Sequence, residues 1–97
     1  MYVIALIRYL KPLEEVLKTV DAHRAYLRDL KREGVLLASG PFEPRSGGAL
    51  LLRFAAPPEP RALFALRDAD PFVREGLAQY EFLAWAPTIG KEELDRL

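Results

Sequence analysis

The spacing of apolar residues predicts a strand followed by a long helix at the start of the chain. Residues 2–8 are rich in β-branched and aromatic side chains, and both alternating sets are apolar, as in a strand covered on both faces. Pro12 suits a first helical turn, and a 3.6-residue period continues over residues 13–33 until Gly34 ends it. The apolar stripe of this helix consists of Leu13, Val16, Val20, His23, Leu27 and Leu30.

Short apolar runs separated by turn residues predict the rest of the fold. We expect strands at residues 35–39, 49–55 and 79–86, a loop at 40–48, a helix at 60–67, a turn opened by Asp70-Pro71 and helical turns within 91–97. The order β-α-β-β-α-β predicts an α+β, ferredoxin-like fold with a four-stranded antiparallel sheet and two helices on one face. We interpret residues 1–97 as one domain, with a core at 1–87 and a C-terminal tail at 88–97.

The predicted strands are apolar on both faces, yet two helices can cover only one face of a sheet. A large exposed apolar face favours association, so we expect a homodimer or a higher homo-oligomer in which the sheets of two copies pack together. The alternative is a monomer in which the C-terminal tail covers the second face.

The composition argues against several classes of binding partner. The 14 Lys and Arg balance the 14 Asp and Glu, so no basic surface for nucleic acid is expected. No apolar run reaches the roughly 20 residues that span a bilayer, so no membrane partner is expected. The absence of cysteine excludes disulfides and fits a cytoplasmic protein. Asn is absent and Gln79 is the only glutamine, which resembles thermophile composition, although a GC-rich genome would bias the sequence similarly.

Cofactor and metal motifs are also missing from the sequence. There is no glycine-rich phosphate loop, so no nucleotide cofactor is expected. A single histidine without cysteine or a clustered acidic triplet does not predict a metal site.

His23 is the one candidate base, because it is the only histidine and lies on an apolar helix stripe. A catalytic histidine gains from a carboxylate that fixes its tautomer. Asp21 and Asp29 fall on other sides of the helix, whereas Asp70 lies at a junction that would fold back beside it. From local sequence alone Asp70 is explained as an N-cap before Pro71, and one carboxylate can serve both roles. From its position alone, His23 is explained as a core histidine with one hydrogen bond.

Three further features bear on ligand binding. Ser39 and Gly40 end the second predicted strand, where glycine lets a ligand approach the backbone and serine offers a hydroxyl. Ser39 lacks the strand-turn-helix context of a serine nucleophile. Arg8 or Arg53 would hold a substrate carboxylate if either faces the pocket.

Three segments in this order resemble the YCII-related (YciI-like) proteins: residues 23–27 (HRAYL), 33–41 (EGVLLASGP) and 68–73 (DADPFV). The resemblance runs from the first strand to Pro87 and implies a ferredoxin-like fold assembled as a dimeric α/β barrel. It further implies a pocket with a histidine-aspartate pair, which falls on His23 and Asp70. The residues that the resemblance places around this pocket are Ser39, Gly40, Pro41 and Phe72.

The resemblance implies no single reaction, although some relatives act by dehydrochlorination on intermediates of aromatic degradation. Three hypotheses follow. The first is a cofactor-free enzyme in which His23, oriented by Asp70, abstracts a proton and drives elimination or isomerisation of a small organic acid. The second is a non-catalytic dimeric module that binds a metabolite or a partner protein. In the third, the pair only locks the first helix to the turn at Asp70.

Overall fold

Four strands and five α-helices follow one another in the computed structural model, which describes residues 1–97. Their bounds are β1 (Tyr2–Tyr9), α1 (Leu13–Val16), a 3₁₀ turn (Leu17–Thr19), α2 (Val20–Arg32), β2 (Leu36–Pro41), β3 (Gly47–Arg53), α3 (Pro60–Asp68), α4 (Pro71–Arg74), β4 (Ala78–Trp85) and α5 (Lys91–Asp95). No helix is both long enough and apolar enough to cross a bilayer.

The four strands form one antiparallel sheet in the order β2-β3-β1-β4. In β1, Ala5 pairs with Leu50 of β3 on one side and with Phe82 of β4 on the other. This order, with the helical segments α1–α2 and α3–α4 inserted between strands, is the ferredoxin-like split arrangement that the sequence predicts.

The core lies between the sheet and the helices. Alternate residues of β1 and β3 point to the helices, and each of these side chains is at most 3% exposed: Val3, Ala5, Ile7, Leu50 and Leu52. Helix α2 contributes Leu27 and Leu30 to the same cluster, and α4 contributes Phe72. Truncating a leucine at such a position costs roughly 2–5 kcal/mol, so this layer fixes where α2 and α4 sit on the sheet.

The first helix is not continuous, which corrects the prediction for residues 13–33. The 3₁₀ turn at Leu17–Thr19 separates α1 from α2. A 3₁₀ turn winds more tightly than an α-helix and therefore changes the direction of the side chains before it. Only Val16 of α1 is buried, whereas Leu13 and Leu17 are exposed, so the predicted stripe begins at Val16.

The connection between β2 and β3 is shorter than the predicted loop at 40–48. Strand β2 continues through Pro41 and β3 begins at Gly47, so residues 42–46 form the connection. A Cβ atom on Gly47 would collide with the Ile7 carbonyl oxygen, and one on Gly48 would lie 2.6 Å from the Gly40 carbonyl oxygen. Glycine is needed here for close packing of strands, so its usual interpretation as a loop residue was wrong at these positions.

The side of the sheet that faces away from α1–α4 is here called the open face. Its apolar residues are Ile4, Leu6, Leu51, Leu83 and Trp85, the last two each 42% exposed. The C-terminal tail covers only one end of this face, where the Tyr2 hydroxyl donates to Asp95 of α5 and Arg53 donates to the Leu94 carbonyl at 3.1 Å. Most of the open face therefore has no cover within the chain.

Candidate functional site

Helix α2 delivers His23 to the helix-facing side of the sheet. The residue is 8% exposed and lies on the same stripe as Leu27 and Leu30. Its ring nitrogen Nδ1 is 2.8 Å from Asp70 Oδ1 and 3.0 Å from Asp70 Oδ2. The two residues are 47 positions apart in sequence, and the structure brings them together as the sequence predicts.

Asp70 holds this position because it also caps α4. Its Oδ1 accepts the backbone N–H of Phe72 at 2.9 Å, and Pro71 occupies the first turn of the helix. The Asp70 side chain is completely buried. The two roles predicted for Asp70, N-cap and histidine partner, are therefore both present in one carboxylate.

Tyr80 of β4 is a third partner of Asp70 that the sequence alone did not identify. Its hydroxyl donates to Asp70 Oδ2. Burial raises the pKa of Tyr80 well above its ordinary value, and the nearby charge and hydrogen bond of Asp70 raise this pKa further. The hydroxyl therefore stays protonated and remains a donor. Alternation along β4 predicts which face Tyr80 lies on, but only the observed pairing shows that it reaches Asp70.

Tyr26, one turn along α2 from His23, ties that helix to α3. Its hydroxyl donates to the carbonyl oxygen of Leu66. Burial raises the pKa of Tyr26 to about 12, and the charge of Asp70 acts in the same direction. This contact joins α2 to α3 within one helical turn of His23.

The His23 ring is further held by stacking. It lies parallel to the Phe72 ring, with centroids 3.9 Å apart and an interplanar angle of 8°. Tyr9 of β1 meets Phe72 edge-on at 5.9 Å. Because Nδ1 faces both oxygens of Asp70, Nδ1 carries the proton and the neutral ring has its lone pair on Nε2.

A cavity of about 170 Å³ opens beside this ring, and we call it the His23 cavity. Four lining residues are those that the family resemblance places around the pocket: Ser39, Gly40, Pro41 and Phe72. Ser39 and Pro41 pair with Leu50 and Gly48 of β3, so they share the helix-facing side of the sheet with the cavity. The sequence did not point to three other lining residues: Tyr9, Arg24 and Arg45.

Neither arginine that the sequence suggested as a carboxylate partner lies at the His23 cavity. Arg8 forms a long ion pair with Glu81 at 3.9 Å, and its partners in the sheet place it on the open face. Arg53 donates to carbonyl oxygens of the C-terminal tail. Both residues belong to strand positions that alternate with the core-facing ones, so their side chains point away from the cavity.

The polar groups around His23 can orient a ligand, and the histidine itself can accept a proton from it. No group of three or more His, Asp, Glu or Cys side chains is close enough to hold a metal ion. The remaining chemistry is that of a buried histidine that is paired through Nδ1 with Asp70 and that lines a small cavity with apolar and cationic walls. Such an arrangement can accept a proton while the carboxylate stabilises the resulting imidazolium.

Comparison with known proteins identifies both a fold neighbour and a family. The fold is similar to that of 5-chloro-2-hydroxyhydroquinone dehydrochlorinase (TftG) from Burkholderia phenoliruptrix AC1100, solved in complex with 2,5-dihydroxybenzoquinone. The TM-score is 0.74 at 21% sequence identity, and the match covers 92% of this chain and 97% of that chain. No curated protein matches the sequence. The model of the YCII-related domain matches residues 1–86, so the chain belongs to the YCII-related family.

Proposed function

We propose that this protein is a cofactor-free enzyme that abstracts a proton from a small organic acid and thereby drives an elimination or an isomerisation. In this proposal His23 is the general base and Asp70 orients it. The observation that carries the proposal is the buried His23–Asp70 pair, whose histidine lines a cavity large enough for a small ligand.

Each step uses a group already in place. Nε2 of His23 takes a proton from a C–H or O–H bond of the substrate, and the released electron pair forms a new double bond. In an elimination this expels a leaving group such as chloride, and in an isomerisation the imidazolium returns the proton to another carbon. The Asp70 carboxylate stabilises the imidazolium, while Tyr80 and the Phe72 N–H hold that carboxylate in place.

The similarity to a dehydrochlorinase supports this class of reaction. That neighbour is a dehydrochlorinase with 2,5-dihydroxybenzoquinone bound in its structure, and dehydrochlorination is an elimination. Fold similarity at 21% identity does not carry function by itself. The His23 geometry therefore supports the proposed function, and the neighbour only suggests which compounds to test first.

The test is turnover of a substrate panel by wild type and His23→Ala. The panel contains 5-chloro-2-hydroxyhydroquinone, a hydroxymuconate and a muconolactone, followed by absorbance and by chloride release. We expect His23→Ala to lower kcat by about 10²- to 10⁴-fold, because general-base catalysis contributes this much. Asp21→Asn, on the exposed side of α2, is the matched control and should retain full turnover. Equal turnover in wild type and His23→Ala would contradict the proposal.

Binding of panel compounds without turnover by wild type would instead favour the second hypothesis, a metabolite-binding module. Titration calorimetry on the same compounds separates these outcomes. If no compound binds or reacts, the pair is left with the structural role of joining α2 to α4.

We also propose that two copies associate through the open face. Leu83 and Trp85 are the largest of its exposed apolar side chains, and a second sheet of the same kind would bury both. The tail at α5 leaves this surface free, which supports pairing of two copies rather than closure by the tail. Sedimentation equilibrium at micromolar concentration should give twice the monomer mass of 11.0 kDa, and a monomer would contradict the proposal.

A further inference from the structure

Arg45, in the connection between β2 and β3, has a buried atom with no partner. Its Nε is inaccessible to solvent and makes no hydrogen bond, and it is the only such side-chain atom in the chain. A buried guanidinium N–H without an acceptor costs free energy, so a negatively charged group beside Arg45 would be stabilising. Arg45 also lines the His23 cavity, so a ligand in that cavity would lie against its side chain.

The charges around the cavity favour a negatively charged occupant. Arg24 of α2 lines the same cavity, and neither Arg24 nor Arg45 has a carboxylate within 4.0 Å. No Asp or Glu lines the cavity. Asp70, the partner of His23, is fully buried and already accepts from His23, Phe72 and Tyr80. An anion would therefore supply the only negative charge in the cavity itself.

The size and walls of the cavity limit the anion to a small one with an apolar body. The volume of about 170 Å³ lies below the roughly 300–1,000 Å³ of pockets for drug-sized ligands. Ile7, Leu50 and Phe72 give it apolar walls. A guanidinium matches the planar geometry of a carboxylate and binds it through paired hydrogen bonds.

From these observations we infer that Arg45, assisted by Arg24, binds the carboxylate of a small monocyclic or short-chain organic acid in the His23 cavity. This inference rests on the proposed function, because it names the group that would hold the substrate beside His23. Arg45 takes the role that the sequence suggested for Arg8 or Arg53. The apolar walls enclose the body of the acid, and its carboxylate pairs with the charge of the Arg45 guanidinium.

Benzoate is a suitable probe, because it combines one carboxylate with a flat apolar ring and has no leaving group. Its binding is measured by titration calorimetry on wild type, Arg45→Gln, Arg24→Gln and Arg28→Gln. Arg28 is on α2 but does not line the His23 cavity, so it is the matched control. Benzamide, which has nearly the same shape but no charge, is the ligand control.

We expect benzoate to bind wild type and Arg28→Gln alike, while Arg45→Gln weakens binding by about tenfold or more. Arg24→Gln, on an exposed helix position, should weaken it by a smaller factor, and benzamide should not bind. Arg45→Lys should restore part of the affinity, because it returns the charge without the planar fork. Thermal unfolding verifies that each variant is folded. If Arg45→Gln does not fold, the affinity of Arg24→Gln for benzoate provides the test.

Absence of wild-type binding at millimolar benzoate would overturn the inference, as would unchanged affinity in both Arg45→Gln and Arg24→Gln. An equal loss in Arg28→Gln would also overturn it, since that result reflects overall charge. The test is independent of catalysis: His23→Ala can abolish turnover while benzoate still binds through Arg45. Conversely, benzoate binding that depends on Arg45, together with no turnover of any panel compound by wild type, would support the inference and contradict the proposed enzyme function.

Discussion

Each face of the sheet carries one hydrogen bond from a tyrosine to an aspartate, and the two are built differently. On the helix-facing side, the half-buried Tyr80 donates to the fully buried Asp70, which also binds the buried His23. At the end of the open face, Tyr2 donates to Asp95, which also accepts from Lys91 at 2.6 Å on the exposed helix α5.

The two pairs differ in what perturbs their pKa values. The pKa of Tyr80 is raised first by burial, whereas that of Tyr2 is raised first by its hydrogen bond to Asp95. The hydrogen bond from Lys91 lowers the pKa of Asp95, because the ammonium favours the charged carboxylate. The same donor and acceptor therefore join an exposed helix to the sheet in one place and hold a buried histidine beside a cavity in the other.

The largest expected effect comes from removing the acceptor of the buried pair. Asp70→Ala leaves the His23 ring, the Phe72 N–H and the Tyr80 hydroxyl without their acceptor. We expect a loss of about 3–5 kcal/mol in the free energy of unfolding, measured by urea denaturation, because a buried polar network loses its centre. Asp95→Ala is the matched control and should shift the urea midpoint far less. Equal shifts would remove the distinction between the two pairs.

A substitution on the open face should weaken association while leaving the helix-facing cluster intact. Trp85→Ala removes the largest aromatic side chain from the proposed contact between copies. We expect its dimer dissociation constant, from sedimentation equilibrium, to rise about 30-fold or more, as for a central aromatic anchor. Phe64→Ala, an exposed aromatic on α3, should leave the constant unchanged. A loss of association in Phe64→Ala would place the contact on the helix layer instead.

The smallest effect concerns alkaline pH. The folded state raises the pKa of Tyr80 above the ordinary value of 10.0, so its contribution to stability is complete below pH 10 and declines as pH rises above that value. The decline is at most about 1.4 kcal/mol per pH unit for one group. Urea midpoints measured from pH 8 to pH 11 should fall less steeply in Tyr80→Phe than in wild type. A slope that changes equally in Tyr2→Phe would contradict the greater importance of the buried pair.

The sequence predicted the His23–Asp70 pair because local patterns were sufficient for it. A helix stripe placed His23 toward the sheet, and the Asp70-Pro71 pair indicated a cap that would bring a carboxylate to the same layer. The contact of Tyr80 with Asp70 could not be predicted from the sequence, because it depends on how β4 aligns with β1 and on where α4 packs. Alternation within one strand contains no information about either.

Arg45 was missed for a related reason. The sequence places Gly47 and Gly48 in a predicted loop, so it did not predict that β2 and β3 extend toward the cavity. Their lack of side chains is required by neighbouring backbone, which is visible only once the strands are paired. The path of the short connection at residues 42–46, and with it the direction of Arg45, follows from that pairing.

The stacking of His23 on Phe72 has a practical consequence for spectroscopy. As the only histidine, His23 contributes the only imidazole ring protons to a proton magnetic resonance spectrum, so no isotope label is needed to find them. A benzene ring parallel to them at 3.9 Å shields these protons, so their signals should lie upfield of those of a free imidazole. Because the stack exists only when α2 and α4 meet on the sheet, this pair of signals reports ligand entry and assembly of the fold from a single natural probe.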